Sequence, residues 1–250
     1  MLSKNYIKLI TSLRVKKFRN ETGLFIAEGA RLIDDLLNSS LEIVELYHTS
    51  KWKCERSITN IKEFEVTVDE MKKISGQASP TNVLAIVRIP DFELTPNLLT
   101  DKLSLALDEI QDPGNMGTII RLADWFGINY IICSHGTVDT YSPKVVQASM
   151  GAISRVKIIY CDLPKTLSEY SKIIPIYGTF MEGSNIYYET LNAKGIIVMG
   201  NEGNGISAET ERFVSCKIHI PTFANDRSTV ESLNVAMACA IVCSEFKRRS

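Results

Sequence analysis

The second part of the chain alternates short apolar segments with glycine-containing turns and helical patterns, and this alternation constrains the fold most. The apolar segments are almost continuously hydrophobic, which is typical of parallel strands that are buried on both faces. The sequence therefore predicts an α/β fold with a parallel sheet and helices on both faces. The predicted strands are Leu103–Leu107, Tyr130–Cys133, Val156–Tyr160, Ile174–Tyr177, Ile196–Met199 and Ile218–Ile220, and the predicted helices are Met116–Phe126, Ser142–Met150, Ser207–Phe213 and Leu233–Arg248.

The first part of the chain shows the same alternation on a smaller scale. A basic helical segment precedes an apolar run at Leu24–Ala27, and Gly29–Leu37 follows with helical spacing. The stretch Pro90–Lys102 contains two prolines and no clear period, which is typical of a linker. We expect a smaller α/β domain at residues 1–90, a linker at 91–102 and a larger domain at 103–250. Further elements of the first domain are predicted at Ile43–Tyr47, Phe64–Val68, Val68–Ser75 and Val83–Ile89, of which the third is a helix.

The composition is that of an ordinary soluble protein, with 45% hydrophobic and 23% charged residues. The N-terminal segment lacks the apolar core of a signal peptide, and no apolar run approaches the roughly 20 residues that a membrane span needs. We therefore expect a cytoplasmic protein. The 6 cysteines form no Cys-x-x-Cys pair and the 3 histidines are scattered, so the sequence indicates no metal site.

The net charge of −1 argues against simple adhesion of the whole chain to nucleic acid. Basic residues are nevertheless concentrated near the N-terminus, where no acidic residue precedes Glu21. Such a cluster is either a solvated helix face or a surface that contacts phosphates. Its members are Lys4, Lys8, Arg14, Lys16, Lys17 and Arg19.

A first candidate motif, Asp-Pro-Gly-Asn-Met-Gly-Thr-Ile-Ile-Arg, follows a predicted strand and ends at Arg121 inside a predicted helix. Pro113 is typical of a turn, and Gly117 permits close approach of another backbone. The first N–H groups of the helix have no partner within the helix. Arg121 lies among apolar residues, and an unpaired buried charge is expensive, so its guanidinium needs a partner. That partner is either a structural acid such as Glu109 or a ligand.

Two further motifs follow a strand or open a helix. Gly200–Gly205 comes after an apolar strand, which is where parallel sheets commonly bind ligands, although a plain tight turn is the alternative. The segment lacks the G-x-G-x-x-G and P-loop patterns, which disfavours dinucleotide and phosphate-loop enzymes. Glu202 within it is hard to explain as a turn residue. Glu-Ser-Leu-Asn opens the last predicted helix, with Ser232 as a candidate helix cap and Asn234 two residues later.

Together, these motifs resemble those of the SpoU branch of the SPOUT superfamily, the RNA ribose 2′-O-methyltransferases also called the TrmH family. The family patterns are Asn-x-Gly-x-x-x-Arg, an apolar strand ending in Gly-x-Glu-x-x-Gly, and Glu-Ser-Leu-Asn-Val. The segment Tyr141–Ala152 is similar to the stretch that connects them, and Lys16–Gly29 resembles the start of the family's L30e-like substrate-binding domain. The matching residues are Asn115, Gly117 and Arg121 for the first motif, Gly200, Glu202 and Gly205 for the second, and Glu231–Val235 for the third.

The resemblance implies an α/β knot, a deep trefoil in which the C-terminal segment threads through a loop and the knotted backbone cradles S-adenosylmethionine. It also implies a homodimer and an RNA substrate, with ribosomal RNA as our first expectation and transfer RNA as the second. A non-catalytic RNA-binding protein that keeps the fold is the alternative. The loop between Pro221 and Glu231 is longer than in the family and lacks its glycine, which leaves the cofactor contacts there open.

The resemblance further assigns roles to residues. Arg121 is the family's proposed catalytic group, and because a guanidinium keeps its proton in proteins, we expect it to act electrostatically and to position a phosphate. The alternative is that a neighbouring RNA phosphate helps it to accept the proton. Glu202 is expected to pair with this guanidinium. The orienting residues are expected to be Asn115, Glu202, Ser232 and Asn234, the cofactor contacts Gly178, Thr179, Gly200, Asn201, Ile220 and Leu233, and the RNA contacts Lys16, Lys17, Arg19 and Arg121.

Overall fold

The computed structural model describes residues 2–54, 61–224 and 232–249. The chain folds into two compact units, of which the first comprises Met1–Asp91 with Asp139–Arg155 and the second Phe92–Val138 with Val156–Ser250. In chain order, the elements of the described residues are α1 (Lys4–Ser12), α2 (Lys16–Thr22), β1 (Leu24–Glu28), α3 (Ala30–Leu37), β2 (Ile43–His48), β3 (Lys62–Glu65), α4 (Val68–Ile74), β4 (Val83–Arg88), β5 (Leu103–Leu107), α5 (Pro113–Trp125), β6 (Tyr130–Ser134), α6 (Pro143–Ala148), a 3-10 helix (Ala152–Ser154), β7 (Lys157–Cys161), α7 (Leu163–Tyr170), β8 (Ile176–Asn185), β9 (Gly195–Met199), α8 (Ala208–Glu211), β10 (Cys216–His219) and α9 (Val235–Arg248).

The first unit is built on a mixed sheet with the strand order β1-β4-β2-β3 in the described chain. Strand β4 is antiparallel to β1 and β2, and β2 is parallel to β3. The sheet is covered on both faces. Because strand side chains alternate between faces, Phe25 belongs to the core that contains Ile33 of α3, whereas Ile26 belongs to the core that contains Ile10 of α1.

The segment Asp139–Arg155 packs within this first unit, although the sequence prediction assigned it to the second domain. The rings of Tyr141 and Phe25 lie 4.9 Å apart between their centroids. Val146 and Ile153 belong to the same core as Phe25, and α6 packs against β1. The pattern of an amphipathic helix predicts that one face is buried, but it does not identify the sheet that buries it.

The second unit contains a sheet with the strand order β10-β8-β9-β5-β6-β7 among the described residues. Every neighbouring pair in it is parallel, which confirms the predicted parallel α/β fold. Strands β5 and β9 are buried along their whole length, as continuously apolar strands predict. The chain moves from β5 to β6 and β7 on one side and then to β8, β9 and β10 on the other. The direction therefore changes between β5 and β9, the place in such sheets where ligands bind at the carboxyl ends of the strands.

Two elements of the second unit, α7 and β8, differ most from the sequence prediction. No element is predicted between Tyr160 and Ile174, where the structure forms α7 with Pro164 in its first turn. Proline is tolerated there since the first turn of a helix leaves its N–H groups unpaired, and Asp162 caps the helix by accepting a hydrogen bond from the backbone of Lys165. Strand β8 extends to Asn185, eight residues beyond the predicted end at Tyr177, and its pairing with β10 contains a register shift.

The last helix, α9, begins at Val235 rather than at the predicted Leu233. It packs against α5 and buries Cys239, Val242 and Phe246. None of the helices that the structure describes is both long enough and apolar enough to cross a membrane.

Candidate active site

Side chains from three separate parts of the second unit form one hydrogen-bonded chain. Nδ2 of Asn234 donates to Oδ1 of Asn115 over 2.9 Å, and Nδ2 of Asn115 donates to Oε1 of Glu202 over 2.8 Å. Asn115 lies in the first turn of α5, Glu202 in the loop after β9, and Asn234 directly before α9. The fold thus joins the three sequence motifs, although Asn115 is 87 residues from Glu202 and 119 residues from Asn234.

The position of Asn115 is set by the way α5 begins. The helix starts at Pro113 after the capping residue Asp112, whose Oδ1 accepts a hydrogen bond of 2.7 Å from the backbone N–H of Asn115. Proline suits this first turn because it lacks the N–H that the helix would leave unpaired. The cap holds the backbone of Asn115, so its half-buried carboxamide is placed between the other two motifs.

Asn234, rather than Ser232, caps α9. Its Oδ1 accepts hydrogen bonds from the backbone N–H groups of Ala236 over 3.0 Å and Met237 over 3.3 Å. The same carboxamide therefore caps the helix with its oxygen and reaches the site with its nitrogen. The prediction that Ser232 is the cap is wrong, because the cap position falls two residues later; Ser232 is exposed and makes no hydrogen bond within the described chain. The motif residue Glu231 lies outside the described residues.

Glu202 projects from a tight loop that requires glycine at its base. Gly200 is buried, and a Cβ atom there would lie 2.3 Å from the carbonyl carbon of Gly205. Asn201 and Gly205, which has φ 71°, exchange two backbone hydrogen bonds of 2.9 Å. Oδ1 of Asn201 also accepts a hydrogen bond of 2.8 Å from the backbone of Gly203. The loop is therefore closed on itself, and the polar groups of Asn201 are used to build it rather than left open for a cofactor.

Arg121 is exposed on α5 and forms no hydrogen bond or ion pair within the part of the chain that the structure describes. The expectation that it is buried and paired with Glu109 or Glu202 is therefore wrong. Its neighbours Ile119 and Ile120 are fully buried, but successive helix residues are rotated by about 100°, and this rotation carries Arg121 out of the core. Its charge is hydrated and is available to a ligand.

Most residues expected to contact the cofactor lie where β8 stops pairing with β9 or directly after β9 and β10. In β8, Gly178 is buried and Thr179 is half-buried, with the Thr179 hydroxyl donating to the carbonyl oxygen of Val198 in β9 over 3.0 Å. Ile220 directly follows β10 and is half-buried. Leu233, next to the hydrogen-bonded chain, is 48% exposed. This edge of the sheet thus offers both backbone groups and accessible apolar side chains.

The basic residues expected to contact RNA divide into two kinds. Lys16 and Lys17 at the start of α2 are exposed, as a contact with phosphates requires. Arg19 is only 3% exposed; its Nε donates to Oδ2 of Asp139 over 3.0 Å and its Nη1 to the carbonyl oxygen of Leu13 over 2.8 Å. The prediction that Arg19 contacts RNA is wrong, because its guanidinium is already paired inside the first unit.

No group of three or more His, Cys, Asp or Glu side chains in the described ranges is arranged to hold a metal ion. The cysteines are free thiols. Burial raises the pKa of the Cys133 and Cys161 thiols, which keeps them protonated, whereas the thiolate is the form that binds metals.

Sequence reasoning missed one acidic residue close to these motifs. Asp108 directly follows β5 and is 3% exposed. Its Oδ2 accepts hydrogen bonds from the backbone N–H of Ser207 over 2.9 Å and from the Ser207 hydroxyl over 2.7 Å. The sequence pattern that could have identified Asp108 is a carboxylate directly after a continuously apolar strand. A buried acid at such a place needs hydrogen-bond donors from elsewhere in the fold.

Comparison with known proteins assigns the chain to a family. Residues 102–244 match the SpoU rRNA Methylase family, and residues 4–85 match the MRM3-like substrate binding domain. The chain belongs to the SpoU rRNA methylase family, and the matched region contains Asn115, Glu202 and Asn234. This confirms the family that the three sequence motifs indicated.

Named relatives and solved structures agree with this assignment. The chain is 27% identical to the 23S rRNA (guanosine(2553)-2′-O)-methyltransferase RlmP of Bacillus subtilis, over 92% of this chain and 91% of the relative. It is 31% identical to the 23S rRNA (guanosine-2′-O-)-methyltransferase RlmB of Neisseria meningitidis, over 76% and 78% of the two chains. A TrmH-family protein from Porphyromonas gingivalis superposes with a TM-score of 0.91 at 38% identity and 100% coverage of both chains. The AdoMet-bound rRNA methyltransferase of Sinorhizobium meliloti superposes with a TM-score of 0.86 at 27% identity, over 100% of this chain and 96% of that one.

Proposed function

We propose that the chain transfers a methyl group from S-adenosylmethionine to the ribose 2′-hydroxyl of a nucleotide in ribosomal RNA. The observation that carries this proposal is the hydrogen-bonded chain of Glu202, Asn115 and Asn234, which unites three SpoU-family motifs and has an exposed arginine on the same helix as Asn115. The RlmP and RlmB relatives are named as 23S rRNA 2′-O-methyltransferases, which supports ribosomal RNA over transfer RNA as the substrate.

Arg121 supplies the positive charge of the proposed site. A ribose hydroxyl ionises only at high pH, so the reaction needs a group that stabilises negative charge as it develops on the 2′-oxygen. No acid in the described residues neutralises Arg121. A guanidinium is not deprotonated in proteins, so Arg121 stabilises the oxyanion and holds an RNA phosphate rather than serving as the base.

The other motif residues position the ribose. Oε1 of Glu202 is held by Asn115, while its Oε2 has no hydrogen bond within the described chain and can accept one from a ribose hydroxyl. Ser232 and Asn234 lie at the same place in the fold, directly before α9, and both are exposed. Their polar groups add donors for the sugar and its phosphate.

The place where β8 stops pairing with β9, together with the ends of β9 and β10, fits S-adenosylmethionine. The accessible apolar side chains of Ile220 and Leu233 suit an adenine ring. Main-chain groups at Gly178, Thr179, Gly200 and Ile220 would hold the adenosine and methionine parts. The structure of the Sinorhizobium meliloti relative contains AdoMet, which supports this choice of cofactor. When bound, the cofactor supplies a methyl group activated by a sulfonium. The task of the protein is then to align the ribose oxygen with that methyl group.

Tritium transfer from labelled S-adenosylmethionine to ribosomal RNA tests the proposal, and mass spectrometry of nuclease digests would locate the 2′-O-methyl group. Arg121→Ala is expected to reduce the rate by at least about 100-fold, with cofactor binding unchanged by calorimetry. Arg212→Ala removes another exposed arginine of the second unit and serves as the matched control. If Arg121→Ala keeps more than about a tenth of the wild-type rate, the role of Arg121 is refuted. If the wild-type chain binds RNA and cofactor without transfer, it is a non-catalytic RNA-binding protein.

We infer a homodimer from the apolar surface of the second unit. Trp125, the last residue of α5, is 84% exposed, and Met237 of α9 is 59% exposed. The two helices pack against each other, so their outer faces place large apolar side chains in water, which marks an interaction surface. Light scattering should give twice the 28.0 kDa mass of one chain. Met237→Glu should shift the mass towards 28.0 kDa, and a wild-type monomer would refute the inference.

A knotted topology and a cytoplasmic location belong to the same proposal. The knot rests on the resemblance of the three motifs to the SpoU family and on the TM-score of 0.86 to the AdoMet-bound relative. The bacterial 23S rRNA methyltransferases among the relatives support the cytoplasm, where bacterial ribosomes are assembled.

A further inference from the structure

We propose that Asp108 is a positioning residue for methyl transfer, which acts through Ser207 and the loop that carries Glu202. This inference rests on the proposed function, because it concerns the placement of Glu202 in the same site. Asp108 belongs to none of the three sequence motifs. Its side chain is 3% exposed, so it acts on other protein groups rather than on RNA.

Asp108 holds both ends of the Glu202 loop. Its backbone N–H donates to the carbonyl oxygen of Met199, the last residue of β9, over 2.9 Å. Its Oδ2 accepts the two hydrogen bonds of 2.9 and 2.7 Å from Ser207, which ends the loop and caps α8. A buried carboxylate requires such donors, and hydrogen bonds to an ionised acceptor are stronger than neutral ones. The loop therefore starts and ends on one residue of the neighbouring strand.

Glu109 supplies a second anchor through its backbone. Its carbonyl oxygen accepts a hydrogen bond of 2.8 Å from Nδ2 of Asn201, and its N–H donates to the Ser134 hydroxyl over 2.9 Å. Its φ is 59°, in the left-handed region that residues other than glycine seldom adopt. This conformation turns the carbonyl towards the loop and is maintained because both backbone groups are paired.

The anchors determine where Glu202 lies. Because Gly200 and Gly205 close the loop on itself, a displacement at either anchor moves the loop as one piece. Oε1 of Glu202 then leaves its 2.8 Å contact with Asn115. A misplacement of about 1 Å in a catalytic arrangement can reduce the rate by about 100-fold.

The test compares kcat and KM among three variants. Asp108→Ala is expected to lower kcat by about 100-fold, with the KM for S-adenosylmethionine within about threefold of wild type. Asp108→Asn keeps an oxygen that can accept from Ser207 and is expected to rescue most of kcat. Asp101→Ala is the matched control, because it removes an exposed acid just before the opposite end of the same strand, β5, and it should leave kcat within about threefold of wild type.

Repeating the Asp108→Ala substitution in a Glu202→Ala background, which lacks the carboxylate altogether, decides whether Asp108 acts through Glu202. If it does, adding Asp108→Ala to that background lowers kcat by no more than about threefold, because effects of residues that act as a unit are not additive. A full further loss of about 100-fold in that background overturns the proposal, and so does a wild-type kcat for Asp108→Ala. If Asp108→Ala does not fold, Ser207→Ala removes the hydroxyl donor alone and is expected to show the same non-additivity with a loss of about tenfold. An inactive wild-type chain would instead refute the proposed function, and the inference would fail with it.

Discussion

The hydrogen bond between Asn115 and Glu202 provides the sharpest single test of the site. In Asn115→Asp, a carboxylate oxygen replaces the Nδ2 group that now donates to Oε1 of Glu202 over 2.8 Å. Two carboxylates then face each other without a proton between them. The contact with Asn234 survives, because its Nδ2 donates to the other oxygen of residue 115. The substitution therefore affects one link of the chain and leaves the other in place.

The expected loss follows from that geometry. Glu202 is exposed, so the repulsion is calculated for water-like surroundings, where two unit charges roughly 3 Å apart repel by about 1.4 kcal/mol. The lost hydrogen bond adds about 1 kcal/mol. If the whole of this sum, about 2.4 kcal/mol, is felt in the transition state, the rate falls by roughly 50-fold. The melting temperature should change little, because the exposed Glu202 side chain can turn away from residue 115 into water in the resting protein.

A reversed pair gives the matched control. In Asn115→Asp combined with Glu202→Gln, the amide donor and the carboxylate acceptor exchange places, and Oε1 of the new glutamine can still accept from a ribose hydroxyl. Methyl transfer to ribosomal RNA should recover to within about fivefold of wild type. The reasoning is refuted if Asn115→Asp alone keeps more than about a third of the wild-type kcat, or if the double variant is slower than the single one.

Three further predictions concern the first unit. Arg19→Met removes a buried guanidinium and leaves the half-buried Asp139 carboxylate without its cation, so it should lower the free energy of unfolding by about 3 kcal/mol in urea titrations; a loss below about 1 kcal/mol would contradict this. Tyr47→Phe removes the hydroxyl that donates to the buried Glu45 carboxylate over 2.5 Å and should destabilise by about 1–3 kcal/mol in the same assay; an unchanged midpoint would contradict it. Hydrogen bonds, foremost from the backbone N–H of Thr67, lower the pKa of Glu70 from its usual 4.5 to about 2. Its folded pKa lies below its unfolded one, so its stabilisation is complete above about pH 4.5 and is lost as the pH falls through about 2. Glu70→Gln should flatten the acid dependence of the melting temperature over that range, and an unaltered dependence would contradict the assignment.

The larger sheet was predictable because burial on both faces leaves a clear signal. The predicted bounds of β5, Leu103–Leu107, are those of the structure, since every residue of that strand is buried and none marks an exposed face. The segment Asp139–Arg155 shows the limit of such signals. Its helix has an apolar face, but whether β1 or a strand of the other unit buries that face depends on the three-dimensional path of the chain.

The motif residues were predictable as a set, whereas their contacts were not. The family patterns identify Asn115, Glu202 and Asn234, and the structure joins them by hydrogen bonds across 87 and 119 residues of sequence. Which atom donates to which depends on caps and turns at each site, such as the helix start that makes Asn234 rather than Ser232 the cap of α9. Asp108 escaped notice because its importance lies in two contacts with residue 207, 99 positions away.

The two arginines show why a sequence cannot decide which charge is free. Arg19 lies in an exposed-looking basic segment but is buried against Asp139, 120 residues away; Arg121 lies in an apolar helix but faces solvent without a partner in the described chain. A charge that the fold does not pair contributes little to stability and stays available to a ligand. Arg121→Ala should therefore leave the free energy of unfolding within about 0.5 kcal/mol of wild type while methyl transfer is lost. Arg19→Met should show the converse, with stability lost and the kcat of the remaining folded protein near wild type. If Arg121→Ala also destabilises the protein by several kcal/mol, the guanidinium has a structural partner, and its role as the free cation of the site is refuted.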